Sequence, residues 1–141
     1  MRVFLDTNVL ASAAATRGLC ADVLREVIAS HELVVSPALL KELRRVLKEK
    51  FRAPRDAIAD VVSFLQRDTI AARPSALRGV KLKDKDDLPL LSAAMNGQAQ
   101  VFVTGDRELL VLGRIGDLEI VSPRQFWERL RAQPDAGPRK P

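Results

Sequence analysis

Three short stretches of this chain, Val3-Phe4-Leu5, Leu33-Val34-Val35 and Val101-Phe102-Val103, are apolar at every position. A strand with one face in water alternates apolar and polar residues, so a run without alternation belongs to a sheet covered on both faces. The segments between the runs repeat their apolar residues at helical spacing. Strands of this kind alternating with helices predict an α/β domain with a central parallel sheet.

The first run stops at Asp6-Thr7-Asn8, which reads as a polar turn. A helix is expected over 21–29, with Val23, Leu24, Val27 and Ile28 on one stripe, followed by the second strand and Ser36-Pro37 as N-cap and first turn of another helix. That helix carries Leu39, Leu40, Leu43, Val46 and Leu47 on one face. A third helix from near Pro54, a short strand at Thr69-Ile70-Ala71 and a loop over 72–83 come next. Asp86-Asp87 opens a helix that Asn96-Gly97 ends, and the run 101–103 ends in Thr104-Gly105-Asp106. One helical turn at Leu109-Leu110, a last strand over 118–121 and a closing helix behind the capping box Ser122 to Gln125 complete the pattern. Residues 1–131 form one domain on this reading, and 132–141, with three prolines and a glycine, a disordered tail.

Several function classes drop out. The single cysteine excludes an internal disulfide, and no Cys/His cluster offers the nitrogen and sulfur ligands zinc prefers. Asp6 interrupts the first apolar stretch too early for a signal peptide, and no run is long enough to cross a membrane. A reduced, cytoplasmic protein is expected. The net charge of +5 and pI near 9.9 favour polyanionic partners.

The acids locate the chemistry. In open parallel sheets the ligand crevice lies beyond the carboxyl ends of the strands, and Asp6 and Asp106 both stand just past such an end. Glu42 falls on the border between the buried stripe of its helix and the basic face Lys41, Arg44, Arg45 and Lys48. Asp87 starts the helix before Leu88. Taken singly, each has a plain structural explanation: an Asx-turn for Asp6, helix caps for Asp87 and Asp106, a solvated helix position for Glu42. Taken together they point to one crevice, where crowded carboxylates would favour a hard cation, Mg²⁺ or Mn²⁺.

Phe4-Leu5-Asp6-Thr7-Asn8-Val9-Leu10, Ser36-Pro37 with Glu42 on the next helix, Asp84 to Asp87 before Leu90-Leu91-Ser92-Ala93-Ala94, and Val103-Thr104-Gly105-Asp106 together resemble the PIN domain family. Order and spacing match over roughly residues 2–125, and the resemblance is strongest to VapC-like toxin ribonucleases of toxin–antitoxin pairs. It implies a three-layer α/β/α domain, Mg²⁺ or Mn²⁺ at an acidic pocket, and endonucleolytic cleavage of RNA. By position the family's four acids fall on Asp6, Glu42, Asp87 and Asp106, with Thr7, Asn8, Asp86 and Thr104 as polar supports. Asp86 competes with Asp87 for the third place, and Pro89 departs from a usually proline-free first turn. A homodimer and an antitoxin partner are implied by the family alone.

Other readings of the same residues fit less well. A phosphatase of the haloacid dehalogenase type needs an Asp two residues after the first, where Asn8 stands. A Ser-His-Asp hydrolase has only His31, read as an exposed turn residue. The alternative that remains is a catalytically silent PIN-like module that binds RNA or protein. Lys81, Lys83 and Lys85, with Arg78, could contact the RNA backbone, and the Lys41 to Lys48 face could do so or be solvated surface. With aromatics at 4% and no tyrosine, base stacking on an exposed platform is not expected to supply specificity. Phe126 and Trp127 are expected in the core or a dimer contact.

Overall fold

The structure, a computed structural model, describes residues 1–67, 70–71 and 87–132. The expected loop over 72–83, Asp86, Lys81, Lys83, Lys85 and all but the first residue of the expected tail lie outside the described residues. Ala132, placed in the tail by the sequence reading, is the last residue of a helix.

In chain order the elements are β1 (Arg2–Leu5), α1 (Thr7–Ala15), α2 (Leu19–Ser30), β2 (Glu32–Val35), α3 (Pro37–Glu49), α4 (Arg55–Arg67) and β3 (Ile70–Ala71). They continue with α5 (Asp87–Asn96), β4 (Val101–Val103), α6 (Arg107–Leu112), β5 (Arg114–Ile115), β6 (Leu118–Val121) and α7 (Pro123–Ala132). The sheet runs β3-β2-β1-β4-β6-β5, and all its pairs are parallel except β5 with β6.

Val3, Phe4, Leu5, Val101, Phe102 and Val103 are each 0% exposed. Successive strand residues face opposite sides, so this burial means that helices cover both faces of the sheet, giving the three layers. Phe4 and Phe102 are register partners on neighbouring strands, and their rings stack with centroids 5.1 Å apart. The helices α1 and α3 pack on each other, α3 also meets α4 and α5, and α2 meets α7. Among the described residues no helix is long and apolar enough to cross a membrane.

Local signals account for most helix ends. The Ser36 hydroxyl accepts from Leu39 N–H at 3.1 Å with Pro37 in the first turn, and α3 buries Leu39, Leu40, Leu43, Val46 and Leu47. Ser122 and Gln125 form the expected capping box, Gln125 N–H donating to the serine hydroxyl at 3.1 Å and Ser122 N–H to the glutamine carbonyl at 2.9 Å. Phe126 is fully buried behind it, and Trp127 packs half-buried against the core. Pro89 sits in the first turn of α5, where a missing N–H leaves no helical bond unmade.

Three readings need correction. Asp6-Thr7-Asn8 is not a free turn: Asp6 is the N-cap of α1, and its carbonyl accepts from Leu10 N–H at 3.0 Å. The alanine-rich stretch that follows favours helix, and a polar triplet can end a strand and start a helix at once. The hairpin of β5 with β6 was not anticipated; its signal is Gly116, which takes a positive φ of 58° in the two-residue connection Gly116-Asp117.

Helix α5 ends at Asn96 as expected, but Gly97 is not the left-handed residue after it. Gln98 is, at φ 58°, with Ala99 N–H reaching Ala94 O at 2.9 Å and Gln98 N–H reaching Met95 O at 3.0 Å, the bonding of a Schellman motif. His31 is half-buried and not an exposed turn: its N–H closes α2 onto Val27 O at 2.8 Å, and its Nδ1 lies 3.2 Å from the N-terminal nitrogen.

Candidate active site

Strand β1 lies between β2 and β4, so the chain winds outward in one direction through β2 and β3 and returns to β1's other side with β4. That reversal puts a topological switch point between β1 and β4, where a crevice opens at the carboxyl ends of the strands. Asp6 follows β1 directly and Thr104 follows β4 directly. Both backbones stay in register with the sheet: Asp6 N–H donates to Val103 O and Thr104 N–H to Val121 O, each at 2.9 Å.

The two side chains meet. Asp6 is buried, and both of its carboxylate oxygens are occupied: Oδ1 accepts from Thr7 N–H at 2.7 Å and Oδ2 from the Thr104 hydroxyl at 2.7 Å. Thr104, fully buried, also accepts from Asp106 N–H at 3.0 Å. One threonine hydroxyl therefore links the acid after β1 to the turn that carries the acid after β4. Asp106 itself is exposed and caps α6, its Oδ1 accepting from Glu108 N–H at 2.8 Å.

Glu42 reaches the same place from α3. Thr7, 1% exposed at the start of α1, donates its hydroxyl to Glu42 Oε1 at 2.5 Å, so the packing of α1 on α3 sets the glutamate's position. Its other oxygen, Oε2, faces Arg45 Nη2 at 3.9 Å.

Asp6, Glu42 and Asp106 share the wall of one cavity of about 510 Å³, with Asn8 and Gly105 at its edge. Arg45, Val46 and Lys50 complete the lining. Asp87 is the first residue of α5, and its side chain lies outside the described residues. Among the described residues no three acids, histidines or cysteines stand close enough together to hold a metal ion. The three carboxylates thus share a cavity without closing on a common point.

Burial pushes the Asp6 carboxyl above the ordinary carboxylate range; the Thr104 and Thr7 hydrogen bonds oppose this, and the charges of Glu42 and Asp106 add to it. The donor chemistry suits a hard divalent cation, because every candidate ligand is an oxygen and the acids repel one another in its absence.

The capping explanations and the shared cavity hold together. Capping fixes the Asp6 and Asp106 backbones and one oxygen of each, which is how a cap can also present an acid. Sequence reading missed Lys50 as a lining residue; it is the C-cap of α3, one residue past the helix that carries Glu42. A larger cavity of about 640 Å³ lies at the opposite ends of the strands, where Arg129 and Glu119 pair at 2.5 Å. It contains none of the acids discussed above.

A largely parallel sheet with helices on both faces defines a three-layer α/β/α domain whose crevice opens at the switch point. The PIN domain signature matches residues 2–108, and the chain belongs to the PIN domain family. Its fold is similar to that of VapBC2 from Rickettsia felis, solved bound to a DNA fragment from its promoter. That match has a TM-score of 0.62 at 18% identity and covers 86% of this chain and 98% of that one. Mycobacterium tuberculosis VapC20, a toxin that cleaves the sarcin-ricin loop, matches with a TM-score of 0.60 at 14% identity over 83% of this chain and 98% of that one. The PIN domain of human SMG5 matches at 0.50 and 14%, over 92% and 99%. At these identities the likeness is one of fold. No curated protein sequence matches the chain.

Proposed function

We propose that residues 1–131 form a metal-dependent endoribonuclease that cuts RNA phosphodiester bonds with an activated water, acting as the toxin of a toxin–antitoxin pair. The observation that carries this reading is that Asp6, Glu42 and Asp106 line one cavity at the switch point. Membership of the PIN domain family, and fold neighbours that include two VapC-type proteins, support it.

Asp6, Glu42, Asp106 and Asp87 are the residues that would hold Mg²⁺ or Mn²⁺. A bound ion would supply a low-pKa water and offset the charge that builds on the phosphate in the transition state. The protein's own part is positioning. Two hydrogen bonds fix the Asp6 carboxylate at the floor of the cavity, and Thr7 keeps Glu42 turned toward it. Asn8 and Gly105 leave the rim open, and nothing approaches within 4 Å of a Cβ built on Gly105, so a phosphodiester can enter from that side. RNA is the substrate, an antitoxin protein the regulatory partner, and the working protein is a cytoplasmic homodimer.

A catalytically silent PIN-like module is the second reading. It is favoured by the separation of the described carboxylates, which do not converge on one point.

One experiment separates the two. Purified protein with Mn²⁺ is expected to nick single-stranded RNA, EDTA to stop it, and Asp6→Asn to abolish it with an unchanged circular dichroism spectrum. Undiminished cutting by Asp6→Asn would assign the activity to a contaminant or another site.

A further inference from the structure

Two cavities flank α3 and share Glu42 and Arg45 as a common wall. One is the acid cavity; the other, of about 420 Å³, is lined in addition by Ala38, Lys41, Pro89 and Leu90. We infer that this second cavity binds the nucleotide adjacent to the phosphodiester held at the acids, with Arg45 grasping the phosphate between the two. The inference rests on RNA as the ligand of the acid cavity, the part of the nuclease reading that a silent RNA-binding module shares, since a strand leaving that cavity past Arg45 enters its neighbour.

The composition of the second cavity fits one nucleotide. Its volume lies within the roughly 300–1,000 Å³ of small-ligand clefts. Ala38, Pro89 and Leu90 form an apolar surface for a base or sugar, and Lys41, one helical turn before Arg45, supplies a second cation for phosphate. Arg45 stands where one strand would touch both cavities, and its planar fork suits phosphate oxygens. Its present partners, Glu42 at 3.9 Å and Glu49 at 3.3 Å, are ion pairs of a side chain 58% exposed. Such pairs are weak, so a phosphate can replace them.

The basic face of α3 is thereby divided. Lys41 and Arg45 line the second cavity, whereas Arg44 and Lys48 line neither cavity. Pro89 becomes a rigid apolar wall at the start of α5, which gives this residue a role besides tolerating the first turn.

The test uses a fluorescein-labelled single-stranded oligoribonucleotide and the full chain in EDTA, with binding read by anisotropy across a salt series. Arg45→Ala is expected to weaken binding about tenfold and to reduce the slope of log affinity against log salt by roughly 0.7, one phosphate contact on a single strand. Arg45→Lys recovers part of the affinity, a rescue that loss of structure would not allow. Pro89→Glu, a favourable residue in a helix's first turn, places a negative charge in the second cavity and weakens binding comparably. Lys48→Ala, on the same helix, stays within twofold of wild type.

Binding within twofold of wild type by Arg45→Ala or by Pro89→Glu overturns the subsite, as does absence of binding by wild type. If the variants behave as expected and Mn²⁺ still yields no cleavage, the nuclease reading falls and the nucleotide site stands.

Discussion

Thr104 and Asp6 are 98 positions apart in the chain, yet the threonine hydroxyl donates to the aspartate carboxylate at 2.7 Å with both side chains buried. The contact exists because β1 and β4 are neighbours across the point where the sheet reverses its direction of winding. It gives the buried acid a donor that a flexible loop would not hold in place, and through Asp106 N–H it ties the second acid's turn to the first. The geometry of the acid cavity therefore depends on two strands staying in register, which their buried Phe4–Phe102 stack reinforces.

Replacing Asp6 should raise stability when metal is absent. Burial holds the folded-state carboxyl above its ordinary value of 3.8, so the folded chain holds its proton more tightly than the unfolded chain. As pH rises through 3.8 and on through the folded value, that difference turns into a loss of stability, complete once the pH has passed the folded value. Asp6→Asn does not titrate and can keep an acceptor for Thr7 N–H. Urea unfolding in EDTA should show the variant gaining on wild type from pH 3 to pH 7. A gap that stays constant, or narrows over that range, would contradict the raised carboxyl.

Divalent ion should reverse that order. If the acids bind Mn²⁺ only when folded, ion at a hundred times its dissociation constant adds about 2.7 kcal/mol to wild type. Asp6→Asn should gain much less. Thermal melts with and without Mn²⁺ decide it, and equal shifts in both proteins would place the ion elsewhere.

Thr7→Val preserves shape in a buried position and removes the hydroxyl that holds Glu42. A cost of about 1 kcal/mol is expected for the lost hydrogen bond. RNA cleavage should fall further than stability does, chiefly in kcat, because Glu42 is no longer held toward the cavity. Thr7→Ser restores the hydroxyl and should recover most of the rate. A serine variant as slow as the valine would remove the positioning role from this contact.

Arg52 follows α3 with a positive φ of 53° and an exposed side chain. That conformation is strained for any residue with a Cβ, so Arg52→Gly should stabilise the fold by about 0.5–1 kcal/mol after the greater freedom of unfolded glycine is counted. Gln98→Gly relieves the same strain after α5 but gives up a hydrogen bond from Arg2 at 3.2 Å, and should gain less. Chemical denaturation of both variants provides the comparison, and a less stable Arg52→Gly would be the contrary result.

The layer architecture was legible in the chain alone. Short apolar triplets bounded by polar turns and separated by helical stretches fit strands buried on both faces, and the α3 stripe and the caps at Ser36 and Ser122 are local signals whose physics needs no distant partner. The sequence placed Asp6 and Asp106 past strand ends and Glu42 at a stripe border for the same reason: periodicity states which way a side chain leaves its own element. It did not anticipate α1, although it ended α5 at Asn96 as the structure does. A polar triplet suits a turn or a cap equally, and at Gln98 the backbone bonding of the Schellman motif fixed the left-handed residue although a glycine stood next to it.

Which side chains meet depended on the assembled fold. That Thr104 holds Asp6, that Thr7 holds Glu42, and that Arg45 is common to two cavities follow from strand order and from the packing of α1 on α3. Periodicity fixes direction within an element and carries no information on distance between elements. Such distances are set by close packing of the whole core, which no local stretch of the chain encodes.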